Sequence, residues 1–163
     1  MSGGALRDYT VRGVHARYFT VDKARHKDAL KLLAFWDARP ADGIVMGRDV
    51  PSRAIADLLS HISVLEPTPE RTDFRVRLAG ASLLKRHGCD VKDRMLSQLF
   101  PPGEFQDHLK SGLATIDSDR PLIVDSNLMD GGVTKMQVEV VLLPIVAPDR
   151  KTRWVLSGMF YFG

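Results

Sequence analysis

The stretch of residues 73–99 constrains the fold most strongly, because a strand pattern passes into helical spacing without a linker. Phe74, Val76 and Leu78 are apolar and the residues between them are arginines, and this period of two predicts a half-buried strand. After Gly80, apolar residues return at spacings of three and four, which is typical of short helices. A strand that leads directly into helices indicates a sheet covered by helices.

Composition indicates one soluble domain. The chain has 163 residues, of which 44% are hydrophobic and 26% charged, enough to bury a core. It contains no apolar run near the roughly 20 residues that span a bilayer, and its first residues lack the apolar segment of a signal peptide. The single cysteine, Cys89, excludes an intrachain disulfide. We therefore expect a cytoplasmic protein without a membrane span.

Positive charge is concentrated at the N-terminus. Residues 1–27 carry six basic and two acidic side chains, a net charge of +4, whereas the rest of the chain is close to neutral. This predicts a basic N-terminal arm at residues 1–26, followed by a single domain at residues 27–163. We expect the arm to be a solvated, frayed tail, in which residues 9–11 and 18–21 either form short edge strands or are disordered. The alternative, binding to nucleic acid or acidic lipid, is disfavoured because the arm has few aromatic residues and no groove-binding motif.

The first predicted helix begins near Lys27 and ends before Pro40, because a residue that precedes proline avoids helical geometry. Its apolar surface is wider than one stripe, which suggests a core face and a second face for a homodimer. The predicted core face consists of Leu30, Leu33 and Ala34. The predicted dimer interface consists of Leu32, Phe35 and Trp36. The alternative is that the second face packs on the protein's own sheet.

The remaining elements follow from turn and capping signals. Ser52 is predicted to cap a second helix, and residues 61–66 and 74–79 are predicted to form an antiparallel hairpin. A long helix starts at Pro102, with a predicted core face of Phe105, Leu109, Leu113 and Ile116. Three strands near residues 122–129, 136–142 and 154–162 form a meander, with a turn at residues 130–132 and a close approach at Gly158.

This order and several short motifs resemble the PAS sensory fold, and in particular a family of small bacterial PAS-like proteins. The motifs are Phe35-Trp36, Arg39-Pro40, Asp49-Val50-Pro51, Leu58-Leu59, Ile62, Leu65-Glu66, the stretch from Phe74 to Gly80, Leu99 to Pro102, Asp130-Gly131 and Leu142-Leu143-Pro144. The resemblance spans residues 27–162. It implies an α+β, five-stranded antiparallel sheet covered by helices, a pocket between them, and an N-terminal helix outside the core that commonly mediates dimers.

The resemblance also directs attention to cofactors, although it does not identify one. Flavin-binding light sensors of this fold carry an asparagine-cysteine-arginine motif, whereas Cys89 stands in Gly-Cys-Asp. Haem-binding relatives use a histidine on the long helix, where His108 lies. The spacing places His108 on the flank of that helix, which favours a boundary histidine, so we expect no metal site and keep haem as the weaker alternative.

If the pocket is open, we expect it to bind a small, mainly apolar or aromatic ligand, and a closed core is the alternative. The candidates lie on the apolar side of their elements, with His108 or Arg77 as a polar anchor. They are Leu84, Leu96, Phe105, His108, Leu109, Met136, Val138, Met159 and Arg77. The predicted function is a non-catalytic sensory or regulatory module in signal transduction that acts through a protein partner. The alternatives are a small cavity enzyme, which would place a carboxylate or histidine inside the pocket, and a nucleic-acid-binding protein that uses the arm.

Overall fold

The computed structural model describes residues 7–11, 14–130 and 133–162, with side chains described from residue 18 onward except at 86, 128–130 and 133–135. The elements are, in chain order, β1 (Arg7–Val11), β2 (Val14–Val21), α1 (Lys27–Asp37), a 3-10 helix (Arg53–His61), β3 (Ile62–Pro67), β4 (Phe74–Ala79), α2 (Ala81–His87), α3 (Leu96–Leu99), α4 (Pro102–Ser118), β5 (Leu122–Asp130), β6 (Val133–Val146) and β7 (Arg153–Tyr161). Ser52 Oγ accepts a hydrogen bond from the backbone N–H of Ala54, so the predicted cap is confirmed.

The described strands form one antiparallel sheet in the order β1-β2-β5-β6-β7-β3-β4. The five predicted strands are β3 to β7, and the sheet is larger than predicted because β1 and β2 extend it beyond β5. Residues 14–21, part of the arm that we expected to be frayed, pair with β5 from His15 to Val21, so the alternative of an edge strand at residues 18–21 is the one that the structure adopts. The backbone N–H and C=O groups along the edge of β5 form hydrogen bonds with β2. A sequence pattern does not reveal which sheet edge a strand will join. The division into residues 1–26 and 27–163 stays a prediction, and the turn predicted at residues 131–132 lies outside the described residues.

Helices cover both faces of the sheet. Helix α1 and the 3-10 helix pack on one face, here called the α1 face, around a hydrophobic cluster that includes Ile55, Leu143 and Leu156. Helices α2, α3 and α4 pack on the opposite α4 face, around a cluster that includes Phe74 and Val124. Helix α1 therefore lies on the side of the sheet opposite α2, α3 and α4, but it contributes Ala29, Leu32 and Trp36 to the hydrophobic core, so the prediction that it lies outside the core is corrected.

The predicted alternation of β4 is interrupted by a bulge. Leu65 pairs with Val76 and Val64 pairs with Leu78, so Arg77 is the extra residue of β4. Val76 consequently packs on the α4 face, whereas Leu78 packs on the α1 face. The prediction that both share one face was wrong, because one inserted residue reverses the orientation of every side chain that follows it.

Helix α1 buries the face that we predicted as the dimer interface. Leu32 and Trp36 are buried in the protein's own core and Phe35 packs partly against it. Leu30, predicted as a core residue, is 50% exposed. A Cβ added at Gly158 would lie only 2.7 Å from Leu32 Cδ2, so the predicted close approach at that glycine is made by this helix. The assignment of Leu32 and Trp36 to a dimer interface is therefore corrected.

A buried carboxylate anchors the start of α1 to the sheet. Glu139 of β6 is 0% exposed and accepts hydrogen bonds from the backbone N–H groups of Arg25, at 2.8 and 3.1 Å, and of His26, at 2.9 Å. Its register partner on β5 is Asp125, which is also buried. Asp125 Oδ2 is 3.4 Å from the Arg25 guanidinium, whereas Asp125 Oδ1 is buried without a hydrogen-bond partner. Two carboxylates thus lie side by side beneath the helix.

Replacing Asp125 with Asn is expected to increase the free energy of unfolding at pH 7. Burial, reinforced by the Glu139 charge, raises the pKa of Asp125, although Arg25 opposes this effect. Because the pKa of Asp125 is raised in the folded state, this group stabilises the fold at a pH below the ordinary aspartate pKa of about 3.9. The stabilisation is lost as the pH rises through the pKa that Asp125 has in the folded protein. The ion pair lost with exposed Arg25 contributes little.

Urea unfolding of the two proteins at pH 7 and near pH 4 measures this effect. The gain from Asp125→Asn should be present at pH 7 and should shrink at the lower pH. Glu70→Gln, in an exposed loop, is the control and should change neither value. A loss of stability at pH 7 would contradict the prediction.

Candidate functional site

A cavity of about 480 Å³ lies between the α4 face of the sheet and the helices α2 and α4. Its floor comes from β5, β6 and β7 and is mainly apolar, and its polar groups come chiefly from the helices. The lining residues are Ser82, Lys85, Glu104, His108, Ser126, Met136, Val138, Val140, Met159 and Tyr161. Ligand-binding pockets usually have this size and this combination of an apolar wall with few polar groups.

Helix α4 presents a polar face to β2 and the cavity, contrary to the prediction. The predicted core residues Phe105, Leu109, Leu113 and Ile116 are only partly buried against the cluster of the α4 face. The fully buried positions include Asp107, Ser111 and Thr115. Tyr18 of β2 explains this polarity, because its hydroxyl donates to Ser111 Oγ at 2.8 Å. The Thr115 hydroxyl donates to the Ser111 carbonyl of its own helix at 2.8 Å, so the buried Ser111 and Thr115 hydroxyls both have partners.

Two carboxylates, Asp107 and Glu104, influence the buried Tyr18 at this wall of the cavity. Burial, followed by the charges of Asp107 and Glu104, raises the pKa of Tyr18, whereas its hydrogen bond with Ser111 lowers it. Asp107 is 4% exposed. The two carboxylates therefore act on the same buried region, where low solvent screening strengthens their field.

Glu104 and His108 form the polar centre of the cavity wall. They lie one turn apart on α4, with Glu104 Oε1 at 3.6 Å from His108 Nε2 and side chains that are 13% and 17% exposed. The imidazole contacts Tyr18 edge-on at 5.8 Å between ring centroids and Phe100 at 4.6 Å. His108 Nε2 is buried without a hydrogen-bond partner among the described residues. A buried nitrogen of this kind is available to a ligand.

A smaller cavity of about 30 Å³ adjoins the larger one toward α3. His108, Val140 and Met159 line both cavities, so they form the partition between them. This volume accommodates about one water molecule. A ligand that fills the larger cavity therefore contacts the residues that also close the smaller one.

Four of the nine predicted ligand residues line the main cavity. The four are His108, Met136, Val138 and Met159. Leu96 lines the smaller cavity only. Leu84, Phe105 and Leu109 pack against the hydrophobic cluster of the α4 face and line neither cavity. Leu84, Phe105 and Leu109 thus support the wall of the cavity without lining it. Alternation along a strand predicts which side chains face a cavity better than helical spacing does.

Arg77 does not reach the cavity. Arg77 follows Val76 of the α4 face, so ordinary alternation places it on the α1 face, where its guanidinium carbon lies 5.6 Å from the centre of the Trp154 ring. The Arg77 guanidinium also forms ion pairs with two partly exposed carboxylates, Glu66 at 3.6 Å and Asp93 at 3.7 Å. The assignment of Arg77 as a ligand anchor is therefore corrected.

Sequence analysis missed several lining residues. Val140 follows the same alternation as Met136 and Val138, so strand parity alone would have identified it. Glu104 precedes His108 by four residues, and helical spacing would have paired them. Ser82 lines the cavity only because of the position of α2, which no local sequence pattern indicates. Its Oγ is 3.1 Å from His61 Nδ1.

Two further residues of chemical interest lie away from the cavity. Cys89 is exposed after the end of α2, and His87 is partly buried against Phe100 at 5.1 Å between ring centroids. Within the described part of the chain, no group of three or more histidine, cysteine, aspartate or glutamate side chains is arranged to hold a metal ion.

Comparison with protein families identifies the fold. A family model described as the PAS domain matches residues 24–160. The chain belongs to the PAS domain family. The predicted α+β PAS fold is confirmed, and the PAS domain here consists of β3 to β7 with helices on both faces, extended at one edge by the β1-β2 hairpin. PAS domains are generally sensory or regulatory modules, so the coarse functional prediction also stands.

No curated protein and no solved structure matches the chain at a significant level. A scan of the helices over the described ranges finds none that is long and apolar enough to cross a membrane.

Proposed function

We propose that this PAS domain is a non-catalytic sensory module that binds a small, mainly apolar or aromatic ligand in the cavity between α4 and the sheet. The observation that carries the proposal is the cavity of about 480 Å³, lined by apolar strand residues around the buried Nε2 of His108. Met136 and Met159 supply thioether side chains that adapt to different ligand shapes. Occupancy would be transmitted to a protein partner, since signalling by such a module requires one.

Native mass spectrometry of freshly purified protein, combined with methyl NMR of Met136 and Met159 during a fragment screen, tests the proposal. We expect either a bound mass or fragments that shift both methyl signals. Ser126→Phe, which places a ring in the cavity, should abolish these shifts while urea unfolding shows a folded protein. A Soret band that disappears in His108→Ala would identify haem as the ligand. The proposal fails if no mass is bound and no fragment shifts either signal.

An enzyme is the second candidate, because the pair formed by Glu104 and His108 is the arrangement expected of a small cavity enzyme. A carboxylate beside a histidine can exchange protons with a bound substrate. Turnover of a co-purified metabolite, lost in both Glu104→Gln and His108→Gln, would favour the enzyme over the sensor.

The predicted homodimer and signalling partner stay predictions. A dimer through α1 would use its exposed Leu30 rather than Leu32 or Trp36, which are occupied by the protein's own core. The nucleic-acid alternative depends in large part on the arm side chains of Arg7, Arg12 and Arg17, which lie outside those described.

A further inference from the structure

The wall of the cavity holds two polar atoms that a single ligand group can bridge. Glu104 Oε1 and His108 Nε2 are 3.6 Å apart, too far for a direct hydrogen bond. Both side chains line the cavity, and both are more than four-fifths buried. A donor nitrogen placed between them would lie about 2.9 Å from each atom.

The chemistry of these two atoms favours an ammonium group. A protonated primary amine has three N–H donors and no acceptor, so it can donate to a carboxylate oxygen and to a neutral imidazole nitrogen at once. A hydroxyl group has a single donor. A ligand carboxylate would instead bring its oxygens against the negative charge of Glu104, which the protein has buried.

The charges near the cavity wall also favour an ammonium group. Asp107 is buried on the same helix, and together with Glu104 it raises the pKa of Tyr18 at this wall. Lys85, a cation of the cavity lining, is exposed, so solvent screens its charge. Glu104 and Asp107 thus place two carboxylates along the α4 wall of the cavity.

The rest of the cavity fits an apolar or aromatic body. Met136, Val138 and Met159 form the apolar floor, and Tyr161 adds an aromatic ring. We propose that the cavity selects a protonated amine with an apolar or aromatic body, and that its ammonium group bridges Glu104 and His108. This inference rests on the proposed ligand-binding function and names the class of ligand.

Three probes of similar shape test the inference: phenethylamine, phenylethanol and phenylpropionate. Methyl NMR titrations that follow Met136 and Met159 give the affinity of each probe. Phenethylamine should bind about tenfold more tightly than the other two or better, since its ammonium group would form charge-assisted hydrogen bonds that the other probes lack. Glu104→Gln should remove this preference, and Glu70→Gln, in an exposed loop, should keep it.

The outcomes separate the inference from the function on which it rests. If phenylethanol or phenylpropionate shifts both methionine signals and binds as tightly as the amine, the cavity is a ligand site and the amine inference is wrong. An amine preference that persists in Glu104→Gln also overturns it. If none of the three probes and no member of a fragment library shifts either signal, the proposed function fails and the inference fails with it.

Discussion

Gly80→Ala is expected to destabilise the protein by about 3 kcal/mol, the upper end of the usual range for overpacking. Gly80 joins β4 to α2, and its N–H donates to the Ile62 carbonyl at 2.8 Å. An added Cβ would lie 2.5 Å from the Ser60 carbonyl oxygen and still closer to that of Leu59. Because both obstacles are backbone, no side-chain rotation relieves the clash, and α2 must move away from the 3-10 helix.

Gly88→Ala is the matched control at the other end of α2. Gly88 has a φ of 70°, but nothing lies within 4 Å of the added Cβ. Its cost is therefore only left-handed backbone strain, about 1 kcal/mol. Urea unfolding measures both variants. Since α2 carries Ser82 and Lys85 of the cavity wall, Gly80→Ala should also weaken ligand binding. Equal losses of stability in the two variants would contradict the steric explanation.

Glu139→Ala is also expected to cost about 3 kcal/mol. The substitution removes the acceptor for the N–H groups of Arg25 and His26 and leaves a cavity beneath α1. Unpaired buried donors cost about 1–3 kcal/mol. It also removes one charge that raises the pKa of Asp125, so that pKa should fall. Hydrogen exchange of the first-turn amides of α1 should accelerate with the loss of stability.

Glu139→Gln is the matched control, because its amide oxygen can still accept from both N–H groups. Its expected cost is below about 1 kcal/mol. If Gln destabilises the protein as much as Ala, the negative charge rather than the hydrogen-bonding geometry anchors α1, and our explanation is wrong.

The two faces of α1 show where sequence patterns reach their limit. Leu30, Leu33 and Ala34 fit helical spacing as well as Ala29, Leu32 and Trp36 do, so periodicity predicted the helix and left its rotation open. Contact with Gly158 and the Glu139 anchor decide the rotation, and both come from strands more than 100 residues along the chain.

The candidate site was predicted best where strands form it. Met136 and Val138 point into the cavity because alternate residues of β6 face the same side of the sheet, a rule that holds wherever the strand packs. Leu78 departs from the same rule, since the β4 bulge depends on pairing with β3. The role of Glu104 and His108 required the position of α4 over the sheet.

The sequence by itself determined the order and type of β3 to β7 and the long helix, because alternation, helical spacing and turn residues act within a few residues of one another. It also contained enough short motifs to predict the PAS fold. Only the tertiary structure decided that Val14–Val21 joins the sheet, that α4 buries Asp107 and Ser111 against Tyr18, and that Glu104 faces the cavity. These features depend on residues far away in the chain. The free energy of burying a polar side chain depends on whether another group forms a hydrogen bond with it.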